Sequence, residues 1–273
     1  MKISFLFVFM YCSLIINGQT NYKGNLSDKT SHEVLPYVNI GIVGKNIGTV
    51  SDIHGNFELD LQKENDNDTL KISMIGYESL EFIVSDFKKH LRQTPQLQLA
   101  QKTTELKEVV ISGRELKKKI LGNKTESKSI VGGFTSNELG NEVGIVIKIK
   151  RSPTYLKQFC ANITNNRYDS LKFRLNFYNL KDGLPHQRIT KENIIVTSKL
   201  KKGKLVVDLT EYDIVVEDDF FVSLEWIENL GEEDGLYFSM GFLGSPIISR
   251  HTSQGNWEKV GAVSIGFNVT VTY

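Results

Sequence analysis

A chain of 273 residues, 40% hydrophobic and 24% charged, is long enough for two domains with real cores and is neither disordered nor membrane-spanning in composition. Its formal charge of +1 gives no bulk electrostatic reason to bind nucleic acid or an anionic membrane.

The first segment reads as a secretion leader. Lys2 supplies a positive start, and an apolar run from Ile3 to Ile16 follows, too short and wrongly flanked for a stable span. Asn17-Gly18-Gln19-Thr20 suits cleavage near Gly18 or Gln19, so residues 1–19 are expected to leave an exported, periplasmic or outer-membrane-associated protein with no transmembrane segment. Cys12 sits inside the apolar run in a poor lipidation context. Cys160 is then the only remaining cysteine, so no intramolecular disulfide is expected and its thiol reads as a small buried hydrophobe. Loss of Lys2 with the leader makes the remainder formally neutral.

Residues 20–111 read as short strands separated by turns. Val38–Val43 is an apolar strand after Pro36, and Gly44–Gly48 (GKNIG) is a turn. Thr49-Val50 opens the next strand, which ends at the polar turn Ser51–Asn56. Phe57, Leu59 and Leu61 alternate with Glu58 and Asp60, the pattern of a half-buried strand. After the turn Glu64–Asp68, Leu70, Ile72 and Met74 alternate with Lys71 and Ser73. Gly76 breaks that run, Phe82-Ile83-Val84 follows as a further strand, and Leu97-Gln98-Leu99 reads as the last one.

Three blocks in this stretch occur in an order that resembles a known family: Pro36-Tyr37-Val38-Asn39-Ile40, then Gly48–Phe57 (GTVSDIHGNF), then Asn67–Tyr77 (NDTLKISMIGY). They are similar to the carboxypeptidase-regulatory-like domain of Bacteroidota cell-envelope proteins. The resemblance implies a transthyretin-like or immunoglobulin-like sandwich of about seven strands. It also implies an accessory domain rather than a catalyst. Gly55 suits a positive φ in the tight turn, Asp52 can bond turn amides, and Phe57 and Tyr77 can cover the core. Glu105–Ile111 (ELKEVVI) further resembles the segment that follows this domain in TonB-dependent outer-membrane receptors. Only about 160 residues remain after it, too few for the plugged barrel of such transporters.

Residues 112–130 read as a linker, with Ser112-Gly113 breaking the strand, a Lys117-Lys118-Lys119 run taken as a solvated face, and a polar, turn-rich stretch from Gly122 to Ser129. Residues 131–273 read as a second, jelly-roll-like β-sandwich, making the whole chain all-β. Ile145, Ile147 and Ile149 mark one strand. Phe173, Leu175 and Phe177 alternate with Lys172, Arg174 and Asn176, and Leu205, Val207 and Leu209 mark another strand. Phe220, Val222, Leu224 and Trp226 alternate with Ser223 and Glu225, Tyr237–Phe242 is apolar on both faces, and Ile265–Tyr273 alternates to the end. Lys118–Lys124 (KKILGNK) and Arg174–Tyr178 (RLNFY) resemble segments of small proteins that carry the regulatory-like domain, and they suggest no chemistry.

No catalytic motif emerges. The five histidines, His32, His54, His90, His186 and His251, are scattered, and His54 and Glu58 do not form a zinc-peptidase pair. Gly244-Ser245-Pro246 is not a nucleophile elbow. The acidic groups Glu64/Asp66/Asp68 and Glu217/Asp218/Asp219 match no calcium loop and read as solvated turns. No catalytic residue, metal or cofactor is therefore expected. The best surface site by sequence is a loop holding Trp257 with Arg250, His251 and Gln254, where an indole face and polar neighbours could meet a sugar. The expected function is a non-catalytic cell-envelope binding or scaffold protein, partnered by envelope proteins or glycans and not by nucleic acid. The alternative is a carbohydrate-binding accessory protein using loops of the second sandwich.

Overall fold

The computed structural model describes residues 20–102, 116–134, 136–231 and 235–273. The expected leader, residues 1–19, and the ELKEVVI segment lie outside the described residues. No helix among the described residues is long and apolar enough to cross a membrane.

The N-terminal unit holds β1 (Asn21–Asp28), β2 (Asn39–Ile42), β3 (Gly48–Val50), β4 (Asn56–Asp60), β5 (Thr69–Ser73), β6 (Leu80–Ile83), α1 (Val84–Gln93) and β7 (Gln96–Leu99). One sheet has the order β4-β1-β7 and the other β3-β2-β5-β6. Leu26, Val38, Ile40, Phe57, Leu59, Leu70 and Ile72 meet between them. The alternation places them there: Phe57 and Leu59 are buried while Asn56, Glu58 and Asp60 are exposed. The turn before β4 is built as its residues dictate. Asp52 Oδ1 accepts the amides of His54 and Asn56, each at 2.8 Å, and Gly55 has φ +75°.

The sequence pattern missed α1. The strand β6 ends at Ile83 and the chain turns helical at Val84, placing Val84, Phe87, Lys88 and Leu91 on one buried face. That face closes the open side of the sandwich, with Phe87 stacked 6.2 Å from Phe57.

The second unit begins with β8 (Lys118–Gly122), β9 (Val131–Gly132), β10 (Glu142–Ile147), β11 (Thr154–Asn166), β12 (Leu171–Lys181), β13 (Leu184–Arg188), β14 (Ile194–Ser198) and β15 (Gly203–Asp208). It continues with β16 (Val215–Val216), β17 (Phe220–Trp226), β18 (Leu236–Gly241), β19 (Ile247–Arg250), β20 (Glu258–Val260), β21 (Ser264–Ile265) and β22 (Phe267–Thr272). Its first sheet runs β13-β12-β17-β10-β19-β20, with β14 beside β12. Its second runs β21-β18-β11-β22-β8, with β15 and β16 on β11 and β9 on β18. The two sheets face each other across a core containing Phe159, Phe173, Phe177, Trp226, Phe238 and Phe267.

Two local expectations change. Part of the stretch taken as a linker enters the second sheet: Lys118–Gly122 pairs with β22 and Leu121 joins the core. The lysine run misled because β8 is an edge strand whose first three residues, Lys118, Lys119 and Ile120, are exposed. The apolar run from Tyr237 ends as a strand at Gly241, leaving Phe242 and Leu243 exposed on a loop.

Candidate functional site

The outward face of the β12-β17-β10-β19 sheet was legible only as an alternating polar face, which ordinarily meets water. Here it is covered, around Arg174 and Glu225 by the N-terminal unit and around Tyr178 and Phe221 by Trp257 and its neighbours in the second unit. Every residue of β17 is buried, and so are Arg174, Asn176 and Tyr178 on β12, Glu142 on β10 and Arg250 on β19. Burying two carboxylates and their guanidiniums is costly unless each is paired and hydrogen-bonded.

The pairing is complete around both carboxylates. Glu225 receives Arg174 as a fork, Nε to Oε2 at 2.8 Å and Nη2 to Oε1 at 2.9 Å. Its Oε2 also accepts Asn176 Nδ2 at 2.7 Å and Arg188 Nη2 at 3.0 Å. Glu142 accepts Arg250 Nη2 at 2.6 Å, the Tyr178 hydroxyl at 3.2 Å, Asn176 Nδ2 at 2.8 Å and the Ser223 hydroxyl at 2.5 Å. Asn176 thus bridges the two carboxylates.

The network extends into the N-terminal unit. Arg174 Nη1 donates to the Tyr37 carbonyl at 2.7 Å, and its Nη2 donates to Asn39 Oδ1. Asn39 Nδ2 donates in turn to Glu225 and to Ser253 Oγ. Backbone approach is just as close: a Cβ on Gly41 or Gly48 would collide with the Ser253 carbonyl oxygen, so glycine is required at both positions of this β2–β3 pair.

Burial pushes the Glu225 carboxyl up, but Arg174, Arg188 and Arg250 together outweigh burial and hold it well below the usual carboxylate range. Burial raises the Tyr178 hydroxyl, keeping it neutral. For Arg250 burial acts downward, and Glu142, Tyr178 and Glu225 reverse it and hold the guanidinium charged. These groups are fixed in one protonation state and enclosed, which suits fastening rather than proton transfer.

The four residues singled out by sequence lie at this seam. The Arg250 guanidinium sits 4.6 Å from the Trp257 ring centroid while holding Glu142. Trp257 packs edge-on against Phe221 and Tyr178, at 5.3 and 5.7 Å. Gln254 reaches Ser73 of the N-terminal unit at 2.8 Å, and its carbonyl accepts the Gly44 amide at 2.9 Å. His251 is half-buried in the same connection, just after β19. The structure therefore brings Arg250 and Trp257 together and turns Gln254 to the other unit.

Sequence reasoning missed Arg174, Glu225, Glu142, Asn176, Arg188 and Asn39. The available signal was aromatic: Tyr178 and Phe221 occupy the nominally polar face, which a solvated sheet would not favour.

Beside the seam an open cleft of about 910 Å³ separates the units. Tyr37, Val50, Leu139 and Ile227 form a small apolar cluster at its base, and Ile53, 54% exposed, stands on its rim. Asp52, Glu58 and Glu228 line it with carboxylates. Among the described residues no group of His, Cys, Asp and Glu is placed to hold a metal ion. Burial pushes the half-buried Cys160 thiol up, away from the nucleophilic thiolate form.

Residues 22–111 match the model of the CarboxypepD_reg-like domain. The N-terminal unit is a CarboxypepD_reg-like domain. The match takes in all seven of its strands and α1, together with Tyr37 and Asn39 of the seam. No curated protein matches the chain. Among solved structures, the infectious bursal disease virus VP2 subviral particle aligns at 10% identity over 92% of this chain, with a TM-score of 0.23. The alignment spans 63% of that chain's length, and a likeness of this degree carries no argument.

Proposed function

We propose that the protein is an exported, non-catalytic binding module of the cell envelope, in which the CarboxypepD_reg-like domain is locked onto a second β-sandwich and the cleft between them is the binding surface. The observation that carries this reading is the division of labour at the junction. The buried carboxylates and guanidiniums are consumed in the enclosed seam, whereas the adjacent cleft offers accessible carboxylates over an apolar base. The apolar leader after Lys2 supports export, and the regulatory-like character of the N-terminal family supports an accessory role.

The test is capture of partners from the native envelope with the wild-type protein and with Ile53→Arg, which places a charge on the cleft rim without touching the core. A specific partner retained by the wild type and lost by the variant is the expected result. Identical capture by both proteins would remove the cleft from the account. Purified protein supplied with Zn²⁺ or Ca²⁺ is expected to cleave neither peptide libraries nor common glycans. Turnover that disappears on chelation would overturn the non-catalytic reading.

A further inference from the structure

Among the described residues, β4 has a neighbouring strand on one side only. It pairs with β1 and is the outer strand of its sheet. The bonds from Leu26 N to Gly55 O, 2.9 Å, and from Leu61 N to Thr20 O, 2.7 Å, fix which residues face β1. By the two-residue period these are Gly55, Phe57, Leu59 and Leu61, so the main-chain groups of Asn56, Glu58 and Asp60 point the other way. Those of Asn56 are closed by the turn: its carbonyl accepts the Asp52 amide and its amide donates to Asp52 Oδ1, both at 2.8 Å. Among the described residues no strand lies beyond Glu58 and Asp60. Exposed edges are commonly blunted by Pro, Lys or a bulge. The outward residues of β4 include neither Pro nor Lys, and its pairing with β1 runs without a register shift.

The start of this open edge reaches the cleft, where Asn56, Phe57 and Glu58 form part of the wall. The charges there are unbalanced. Lys23 pairs with Glu58 at 2.9 Å and Lys172 with Glu228 at 2.7 Å, but Asp52 bonds only neutral donors and Asp60 is exposed on the same strand. The Lys23–Glu58 pair is itself solvent-exposed, 69% and 54%, so a competing cation can displace it at little cost.

Resting on the cleft reading above, we propose that the ligand is an extended peptide segment bearing lysine or arginine, which adds to β4 as a neighbouring strand. Its backbone takes up the free groups of Glu58 and Asp60. Its basic side chains meet Asp52, Glu58 and Asp60, and an apolar side chain rests against the exposed Ile53. Main-chain bonding gives affinity with little sequence demand, and the carboxylates select for positive charge.

The experiment is an NMR titration of the full protein with a short acetylated peptide alternating lysine and valine. It is run alongside the glutamate-valine counterpart and a copy of the lysine peptide N-methylated at alternate residues. The expected result is amide shifts and slowed exchange at Glu58 and Asp60, no binding of the acidic peptide, and affinity weakened about tenfold or more by N-methylation. Glu58→Pro removes an amide that β1 does not use, so it should leave folding intact and abolish binding. Equal binding of the methylated and unmethylated peptides, or shifts confined to other surfaces, would overturn strand addition. If Ile53→Arg loses the native partner while none of the peptides binds, the cleft stands and the extended-peptide ligand falls.

Discussion

Arg174 holds five hydrogen bonds' worth of geometry in one planar group: a fork onto Glu225, the Tyr37 carbonyl, Asn39 and, at 3.3 Å, Asn193. Lysine cannot reproduce that fork. Removing one partner of a buried pair leaves the other charge under-compensated, and Arg174→Met should cost about 3–5 kcal/mol in urea unfolding. Glu225 makes the same point through pH. Its folded carboxyl lies well below its ordinary value of 4.5, so it binds its proton less readily folded than unfolded. The resulting stability is fully present above pH 4.5 and is lost as pH falls below it, through the folded-state value. Thermal melts from pH 7 downward should therefore show a falling Tm in the wild type. The gap between the wild type and Glu225→Gln should narrow over the same range, and a constant gap would contradict this role for the carboxylate.

At the scale of elements, two tests check the cores. Phe57 is 5% exposed and stacks on Phe87 of α1, so Phe57→Ala should cost about 3–5 kcal/mol, and Leu121→Ala on β8 about 2–5 kcal/mol, by chemical denaturation. A negligible loss at Leu121 would mean that β8 is not a working part of the second sheet. The strands of the N-terminal unit were legible because polar turns such as Ser51–Asn56 and Glu64–Asp68 separate alternating runs. The helix α1 was not, because its apolar spacing at Val84, Phe87 and Leu91 directly continues the apolar end of β6. The strand β8 was hidden for the opposite reason: a single buried side chain, Leu121, marks it among exposed neighbours. The seam was hidden because period-two alternation says which residues share a face but not whether that face meets water. Arg174, Asn176, Ser223 and Glu225 alternate with core residues as solvated positions do, and only long-range packing covers them. Trp257, Arg250, His251 and Gln254 were grouped by sequence as one surface loop, and the structure joins Trp257 to Arg250, but in the packed end of the seam.

At the scale of the molecule, hydrogen bonds between Tyr37, Asn39, Gly44 and Ser73 and the second unit, and glycine at positions 41 and 48, make the two units share one interface. A regulatory-like domain held this way presents the cleft in one geometry, which would lower the ordering cost of the binding proposed there. That rigid union is the central claim, and scanning calorimetry of the wild type beside Arg174→Met tests it most directly. The account predicts one cooperative transition for the wild type, with a calorimetric to van't Hoff enthalpy ratio of about one, and a lower or split transition for the variant. Two separate transitions in the wild type, both unmoved by Arg174→Met, would contradict it.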